Sequence, residues 1–346
     1  MSEPAAATLP PPATTAPPAG DHIIRVRNVT KTFDGVVAVR DVSFDVPAGH
    51  VVGFIGANGA GKTTTMRMMV TLELPDSGTV EVGGFDVIEQ PQKVRRLIGW
   101  MPDSYGAYPN VTVLDYLDFY ARACGYRGAD RVRRVQEVMD FADLTPLADR
   151  PMNGLSKGMG QRLCFGRALV QDPKILILDE PAAGLDPKAR MEFKNLVHLL
   201  SRRGTTIFIS SHILSELSEM CDSLLFIDQG RILHQGTADA LRHRDGDEMC
   251  LIDLQVHGSE APLLQWISLH PGWKLVEQRK GLVRAQFESS ARERIAAELR
   301  RMITDGVAVT DFHRQERRLE EVFVDVLRQA GGPAASPPPL PGATPP

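Results

Sequence analysis

Short apolar runs alternate with helical patterns along the middle of the chain. The run Val51–Ile55 precedes a glycine-rich turn and a helix that we predict to continue to about Leu72. The runs Ile175–Leu178 and Thr206–Ser210 flank a second predicted helix, from about Pro187 to Leu200. Short apolar runs bounded by polar turns are typical of strands buried on both faces. The pattern therefore predicts an α/β fold built on a largely parallel sheet.

A long helical stretch interrupts this alternation. Residues 112–171 have a mostly helical pattern, which predicts a helical subdomain at about residues 104–170 inside a larger domain of residues 21–242. The composition changes at His243–Glu248 (HRDGDE), where we predict a linker. A smaller α+β domain is predicted beyond it, at residues 249–329.

The predicted elements of the smaller domain follow a recognisable order. They are strand 249–256, helix 261–269, strands 273–278 and 281–287, helix 290–303, strand 306–314 and helix 319–328. The middle strands meet at Lys280-Gly281, a hairpin-like turn. The order βαββαβ is that of the ferredoxin-like arrangement. Residues 1–20 and 330–346 are rich in proline and small residues, and we predict that both are disordered tails.

Composition narrows the possible functions. Hydrophobic residues make up 43% of the chain and charged residues 24%, as in ordinary globular proteins. The formal net charge of −4 gives no basic excess, so we expect no nucleic-acid partner. The four cysteines form no C-x-x-C pair and are expected to be free thiols in a reducing cytoplasm. The sequence contains no apolar run near the roughly 18–20 residues that span a bilayer, so a membrane role would need a partner with the spans.

A phosphate-binding loop follows the strand Val51–Ile55. The segment fits G-x-x-x-x-G-K-[ST] and opens a helix, which is the context that this motif requires. Glycines let successive backbone N–H groups point inward at phosphate oxygens, and the helix N-terminus adds positive potential. Lys62 is predicted to reach the β- and γ-phosphates of a bound nucleotide, and the Thr63 hydroxyl to bind Mg²⁺. The predicted nucleotide-binding segment comprises Gly56, Ala57, Asn58, Gly59, Ala60, Gly61, Lys62, Thr63 and Thr64.

Two acidic residues follow the apolar run Ile175–Leu178. Ligands bind beyond the carboxyl ends of strands in such sheets, so Asp179 is predicted to hold Mg²⁺ and Glu180 to orient or deprotonate the attacking water. Two solvated acids at the end of a strand are the alternative, which the upstream phosphate loop disfavours. The two motifs together indicate a P-loop NTPase, and no N-K-x-D motif for guanine is present.

Leu155-Ser156-Lys157-Gly158-Met159 lies between the two motifs, and here the chain resembles the ABC ATPases. Their signature is usually L-S-G-G-Q, and the S-K-G-M form is similar to the branch that powers ABC-2-type exporters. Ala183-Gly184-Leu185-Asp186 resembles the D-loop, and His212 resembles the switch histidine. Phe33 lies where the family places an aromatic residue that stacks on adenine; the alternative is that it is simply a core residue. The resemblance covers about residues 22–240.

The resemblance implies roles for individual residues. Ser156 and Gly158 would contact the phosphates of ATP bound to a second subunit, so that two cassettes sandwich two nucleotides, and Asp186 would lie at the same nucleotide. Lys62, Glu180 and His212 are then the expected catalytic set. One departure is Asp103, which stands where the family has Gln or Glu; it can still bind Mg²⁺ or its water, but it is shorter. Met159 replaces the signature Gln.

These features predict an ATP-hydrolysing subunit on the inner face of the cell membrane. It would pair with itself or a related ATPase subunit, and energise a separate polytopic permease, with export favoured. The small C-terminal domain would regulate or stabilise the dimer, or be purely structural. Two alternatives stay open: a soluble ABC ATPase acting on ribosomes or nucleic acid, and a small-molecule kinase. The kinase hypothesis would leave His212 and the segment around Ser156 unexplained.

Overall fold

The computed structural model describes residues 22–104, 106, 108–237, 250–289 and 291–315. These residues fall into two compact units, the first including residues 22–237 and the second residues 250–315. The strands of the first unit are β1 (His22–Phe33), β2 (Val36–Pro47), β3 (Val51–Ile55), β4 (Ser77–Val82), β5 (Phe85–Asp86), β6 (Ile98–Met101), β7 (Ile175–Leu178), β8 (Thr206–Ser211), β9 (Ser223–Asp228) and β10 (Arg231–Gly236). Its helices are α1 (Lys62–Met69), α2 (Pro91–Leu97), α3 (Val113–Ala123), α4 (Gly128–Phe141), α5 (Lys157–Leu169), α6 (Pro187–Arg202) and α7 (Leu214–Ser218).

The central sheet of the first unit has the strand order β10-β9-β3-β8-β7-β6. The pairs from β9 to β6 are parallel, and β10 adds an antiparallel edge. Every residue of β3, β7 and β8 is buried, as expected for strands covered on both faces. The predicted parallel α/β core is confirmed. In a parallel sheet the carboxyl ends of β3, β7 and β8 lie at one edge, where the motifs were expected to meet.

A second sheet, with the order β2-β1-β4-β5, is antiparallel and was not predicted from the sequence. In β1, Ile24 and Val26 are buried while Arg25 and Arg27 are exposed, so one face carries the apolar side chains. This face joins the core of the central sheet, where Phe44 stacks on Phe208 with 5.7 Å between ring centroids. The second sheet thus covers one face of the strands that lead to the candidate site.

Three helices, α3, α4 and α5, occupy most of the predicted helical subdomain, with short 3-10 turns at Thr145–Leu147 and Met152–Gly154. Helix α3 begins with a capping box, in which Thr112 accepts from the backbone N–H of Asp115 and Asp115 accepts from that of Thr112. The ends of the predicted subdomain, at about 104 and 170, stay predictions. In the described part of the chain, no helix is long and apolar enough to cross a membrane.

The second unit is a four-stranded antiparallel sheet with two helices. Its elements are β11 (Cys250–Val256), α8 (Ala261–Leu269), β12 (Trp273–Arg279), β13 (Leu282–Phe287), α9 (Arg292–Thr304) and β14 (Val309–Gln315). The strand order β12-β13-β11-β14 is that of the ferredoxin-like arrangement, as the sequence predicted. Gly281, with φ of +81°, forms the turn between β12 and β13. Trp266, Trp273 and Phe287 lie in its apolar core.

Several predictions fall outside the described residues. These are the tails at 1–20 and 330–346, the linker His243–Glu248, and the helix at 319–328.

Candidate active site

The predicted phosphate loop joins β3 to α1 as the motif requires. Gly59 and Gly61 have φ of +81° and +103°, values that L side chains rarely adopt. A Cβ atom on Gly61 would lie 2.6 Å from the carbonyl oxygen of Ala38, and one on Gly56 would clash with the carbonyl oxygen of Ile227. Glycine is therefore needed at both ends of the loop. The first turn of α1 leaves the N–H groups of Lys62, Thr63 and Thr64 without helical partners, so they are available to an anion.

Lys62 is folded back over the loop. Its Nζ atom donates to the carbonyl oxygens of Gly56 at 2.8 Å and Ala57 at 3.2 Å, and lies 3.3 Å from Glu180 Oε1. The side chain of Lys62 is only 6% exposed. A buried ammonium needs acceptors around it, and here backbone oxygens and a carboxylate supply them. Phosphate oxygens are acceptors of the same kind.

Thr63, Asp179 and Ser210 form a connected set across three elements. The Thr63 hydroxyl donates to Asp179 Oδ2 at 2.7 Å, and the Ser210 hydroxyl donates to Asp179 Oδ1 at 2.6 Å. Asp179 is fully buried, and burial raises the pKa of its carboxyl, reinforced by the nearby charges of Asp103 and Glu180 and opposed by the two hydrogen bonds. The predicted metal residues Thr63 and Asp179 are thus brought together by the fold.

Glu180, the second residue after β7, has a left-handed backbone, with φ of +48°. Its Oε2 atom lies 2.8 Å from Nδ1 of His212, which follows the adjacent strand β8. Its Oε1 atom is buried and makes no hydrogen bond to the described residues, although it lies 3.3 Å from Lys62 Nζ. Such a left-handed conformation costs a non-glycine residue about 1–3 kcal/mol, so it needs support from its surroundings.

Asp103 and Phe33 are both exposed. Asp103 is exposed and follows β6, close enough to Asp179 for its charge to act on that carboxyl. Phe33 ends β1 and is 42% exposed, with Lys31 Nζ 5.1 Å from its ring centroid. An exposed aromatic face beside a cation is open to a further planar ring.

The residues expected to face a second subunit begin two other helices. Ser156 caps α5 and accepts from the N–H of Met159 at 3.4 Å. Asp186 caps α6 and accepts from the N–H of Ala189 at 2.8 Å. Gly158 lies in the first turn of α5, where an added Cβ would be 3.5 Å from Leu185. Ser156 and Asp186 thus each cap a helix, and the contacts of all three residues with a nucleotide stay predictions.

The residues present fit a nucleoside triphosphate with Mg²⁺. The glycine cradle, the free N–H groups of α1 and Lys62 together suit phosphate oxygens. In the described ranges there is no group of three or more His, Cys, Asp or Glu side chains that could hold a metal ion alone. Mg²⁺ characteristically takes one or two protein ligands and completes its shell with phosphates and water, so Thr63 and Asp179 suffice.

Ser210 is the site residue that sequence reasoning missed. It is fully buried, donates to Asp179, and accepts from the backbone N–H of Glu180 at 2.9 Å. The sequence carried a signal: Ser210 is a polar residue in the apolar run of β8, two residues before His212. A buried hydroxyl requires partners, but the sequence could not name them.

The fold and the gathered residues define a P-loop ATPase of the ATP-binding cassette class. A family model described as ABC transporter matches residues 39–183, a stretch that contains the phosphate loop, Ser156 and the acidic pair, and ends before His212.

Two relatives and one solved structure extend this match. The chain is 33% identical over 313 residues to the probable multidrug ABC transporter ATP-binding protein YbhF of Escherichia coli, covering 90% of this chain and 53% of YbhF. It is 34% identical over 244 residues to the Nod factor export ATP-binding protein I of Ralstonia nicotianae, covering 70% of this chain and 75% of that protein. It is 25% identical to MJ0796, an ATP-binding cassette solved as a dimer in a post-hydrolysis state with ADP and Pi, with a TM-score of 0.58 over 62% of this chain and 98% of that one.

This chain belongs to the family of ABC transporter ATP-binding proteins. It spans about half the length of YbhF.

Proposed function

We propose that this chain binds and hydrolyses ATP as one of a pair of cassettes that energise a membrane transporter. The observation that carries the proposal is the convergence of Lys62, Asp179, Glu180 and His212 at one sheet edge, beside the glycine loop. Ser156, by contrast, begins a different helix, as expected for a residue that completes the site of a second copy.

The proposed chemistry assigns each residue a task. The loop N–H groups and Lys62 hold the phosphates, Thr63 and Asp179 bind Mg²⁺, and Asp103 contacts the metal or its water. Mg²⁺ held there would supply positive charge to offset the negative charge on the phosphate oxygens. Glu180 orients and deprotonates the attacking water, and its contact with His212 keeps its carboxylate at the edge of the site. Phe33 stacks on adenine, and Asp186 lies at the interface between cassettes.

Closure of the pair couples ATP to transport. ATP favours the closed pair because it contacts both copies there, and only such differential affinity can shift the equilibrium. Closure would move the helical subdomains against a separate polytopic permease, with the chain peripheral on the inner face of the membrane. Export is favoured by the S-K-G-M signature, and two relatives are named as a multidrug transporter protein and a Nod factor export protein.

The test uses Glu180→Gln, which keeps the shape of the side chain but removes the base. We expect this variant to form a stable dimer with saturating ATP and MgCl₂, seen by size-exclusion chromatography with light scattering. The matched control is Glu180→Gln combined with Ser156→Arg, which places a bulky cation at the proposed interface and should stay monomeric. A Glu180→Gln protein that remains monomeric at saturating ATP would show that the paired mechanism is wrong.

Co-purification distinguishes the proposed function from the alternative, a soluble ABC ATPase without a transporter. A polytopic membrane protein that accompanies the tagged chain from detergent extracts supports transport. Ribosomes or nucleic acid in its place support the alternative.

A further inference from the structure

One hydroxyl group, that of Ser210, contacts both acidic residues of the candidate site. Ser210 Oγ donates to Asp179 Oδ1 at 2.6 Å and accepts from the backbone N–H of Glu180 at 2.9 Å. A serine hydroxyl has one hydrogen to donate and lone pairs to accept, so both capacities are used. Ser210 is fully buried, so its hydroxyl needs partners within the protein, and the two acidic residues supply them.

The two contacts fix different properties of the acids. The bond to Asp179 Oδ1 leaves Oδ2 directed to the Thr63 hydroxyl, which is where the predicted metal ligands meet. The hydrogen bond from the Glu180 N–H holds the peptide group between Asp179 and Glu180. Glu180 itself has the left-handed conformation. That conformation turns the Glu180 carboxylate towards His212 and Lys62.

We propose that Ser210 is a positioning residue, whose single hydroxyl orients the metal-binding Asp179 and the water-activating Glu180 together. The inference rests on the proposed function, because it assumes that the site takes Mg·ATP. Ser210 itself touches neither nucleotide nor metal in this proposal, and it acts through the two acids. Because one hydroxyl contacts both residues, the binding of Mg²⁺ by Asp179 and the position of the base Glu180 depend on each other.

The neighbouring Ser211 provides a matched control. It lies on the same strand and is also buried, but its hydroxyl accepts from the Ile213 N–H at 3.0 Å and lies 3.4 Å from Glu216 Oε2. It contacts neither acid in these hydrogen bonds. Replacing Ser211 removes a hydroxyl of the same size, from a residue that is also buried, and leaves the hydrogen bonds of Ser210 in place.

The experiment measures ATP binding by isothermal titration calorimetry at graded MgCl₂, in a Glu180→Gln background so that no turnover occurs. We expect Ser210→Ala to raise the half-saturating MgCl₂ concentration at least about tenfold, the effect of one charge-assisted hydrogen bond. ATP affinity in EDTA should stay within about twofold, since the loop and Lys62 are untouched. With Glu180 intact, Ser210→Ala should also lower kcat about tenfold or more at saturating MgCl₂.

Rescue separates positioning from a structural role. Ser210→Thr keeps the hydroxyl and should return both the MgCl₂ requirement and kcat to within about threefold of the parent. Ser211→Ala should leave the MgCl₂ requirement unchanged. If circular dichroism shows that Ser210→Ala does not fold, Ser210→Cys takes its place, because a thiol of similar size is a weak donor and acceptor.

Two results would overturn the inference while leaving the proposed function intact: an unchanged MgCl₂ requirement in a folded Ser210→Ala protein, or an equal defect in a folded Ser210→Thr protein. Failure of the parent protein to bind ATP under any condition would instead overturn the proposed function, and the inference with it.

Discussion

The Nδ1 atom of His212 lies 2.8 Å from Oε2 of Glu180, although the two residues follow different strands. Strands β7 and β8 are parallel neighbours, with Leu178 opposite Ile209, so the residues that follow them emerge side by side. The His212 side chain is 44% exposed and that of Glu180 15%, so the histidine lies on the solvent side of the acid. The Glu180 carboxylate therefore lies inside the site, and the His212 imidazole lies on its solvent-exposed side.

From this contact we expect His212→Ala to lower kcat for ATP hydrolysis at least about tenfold, because Glu180 loses the group that holds its carboxylate. ATP binding, measured by calorimetry, should change less than about threefold, since the phosphate loop is untouched. His50→Ala is the control, because His50 lies in the turn before β3 and its ring Nδ1 lies 2.9 Å from Ala48 O, away from the acidic pair. Equal losses in the two histidine variants would contradict the assignment.

The phosphate loop gives a prediction about backbone strain. Gly61→Ala would place a Cβ 2.6 Å from Ala38 O at φ of +103°, so we expect loss of ATP binding and a marked fall in Tm. Gly59→Ala is the matched control: φ is +81°, but no atom of the described residues lies within 4 Å of the added carbon. It should cost only the conformational penalty of about 1–2 kcal/mol. Thermal unfolding of both proteins checks this, and similar shifts would show that the contact with Ala38 is not decisive.

Asp103 is expected to limit turnover. It is exposed at the end of β6, and its side chain is one methylene shorter than that of Glu. We expect Asp103→Glu to raise kcat severalfold by reaching the metal or its water, and Asp103→Ala to lower kcat about tenfold. Steady-state hydrolysis at saturating MgCl₂ measures both. If the parent, Asp103→Glu and Asp103→Ala proteins have the same kcat, Asp103 takes no part in the reaction.

The second unit contains an ion pair whose contribution depends on pH. Arg284 donates to both oxygens of Asp253, at 2.7 and 2.9 Å, and Gln315 donates to Oδ2 at 2.6 Å. The Arg284 hydrogen bonds, assisted by Gln315, hold the pKa of Asp253 below its usual value. A lowered folded pKa means stabilisation that is present above the unfolded pKa of about 3.9 and disappears as pH falls through the folded value.

We therefore expect Asp253→Asn to lower the free energy of unfolding of the second unit by about 2 kcal/mol at pH 7. The difference from the parent should shrink as the pH falls below about 4. Fluorescence in a Trp100→Phe background reports on this unit, because Trp266 and Trp273 are the remaining tryptophans of the three. The exposed Asp311 is the control: Asp311→Asn should change the free energy by less than about 0.5 kcal/mol. If Asp253→Asn lowers the free energy of unfolding by the same amount at low pH as at pH 7, the ion-pair explanation is wrong.

Local patterns were enough for much of the fold. The strand–loop–helix of the phosphate site, the buried run before Asp179, and the βαββαβ order of the second unit were all predicted and are confirmed. Each depends on neighbouring residues, such as a glycine turn between an apolar run and a helix. The antiparallel sheet of β1 and β2 was missed, because its strands are long and interrupted by register shifts near Asn28 and Asp41, which both have positive φ.

The sequence by itself determined which residue types stand at the ends of the strands, and hence the class of chemistry. Only the tertiary structure decided which of them touch. The order of strands places β8 beside β7, so Ser210 reaches both acids and His212 reaches Glu180, across about 30 residues of chain. Sheet order and the left-handed turn at Glu180 arise from packing and from hydrogen bonds between distant residues, which no local pattern encodes.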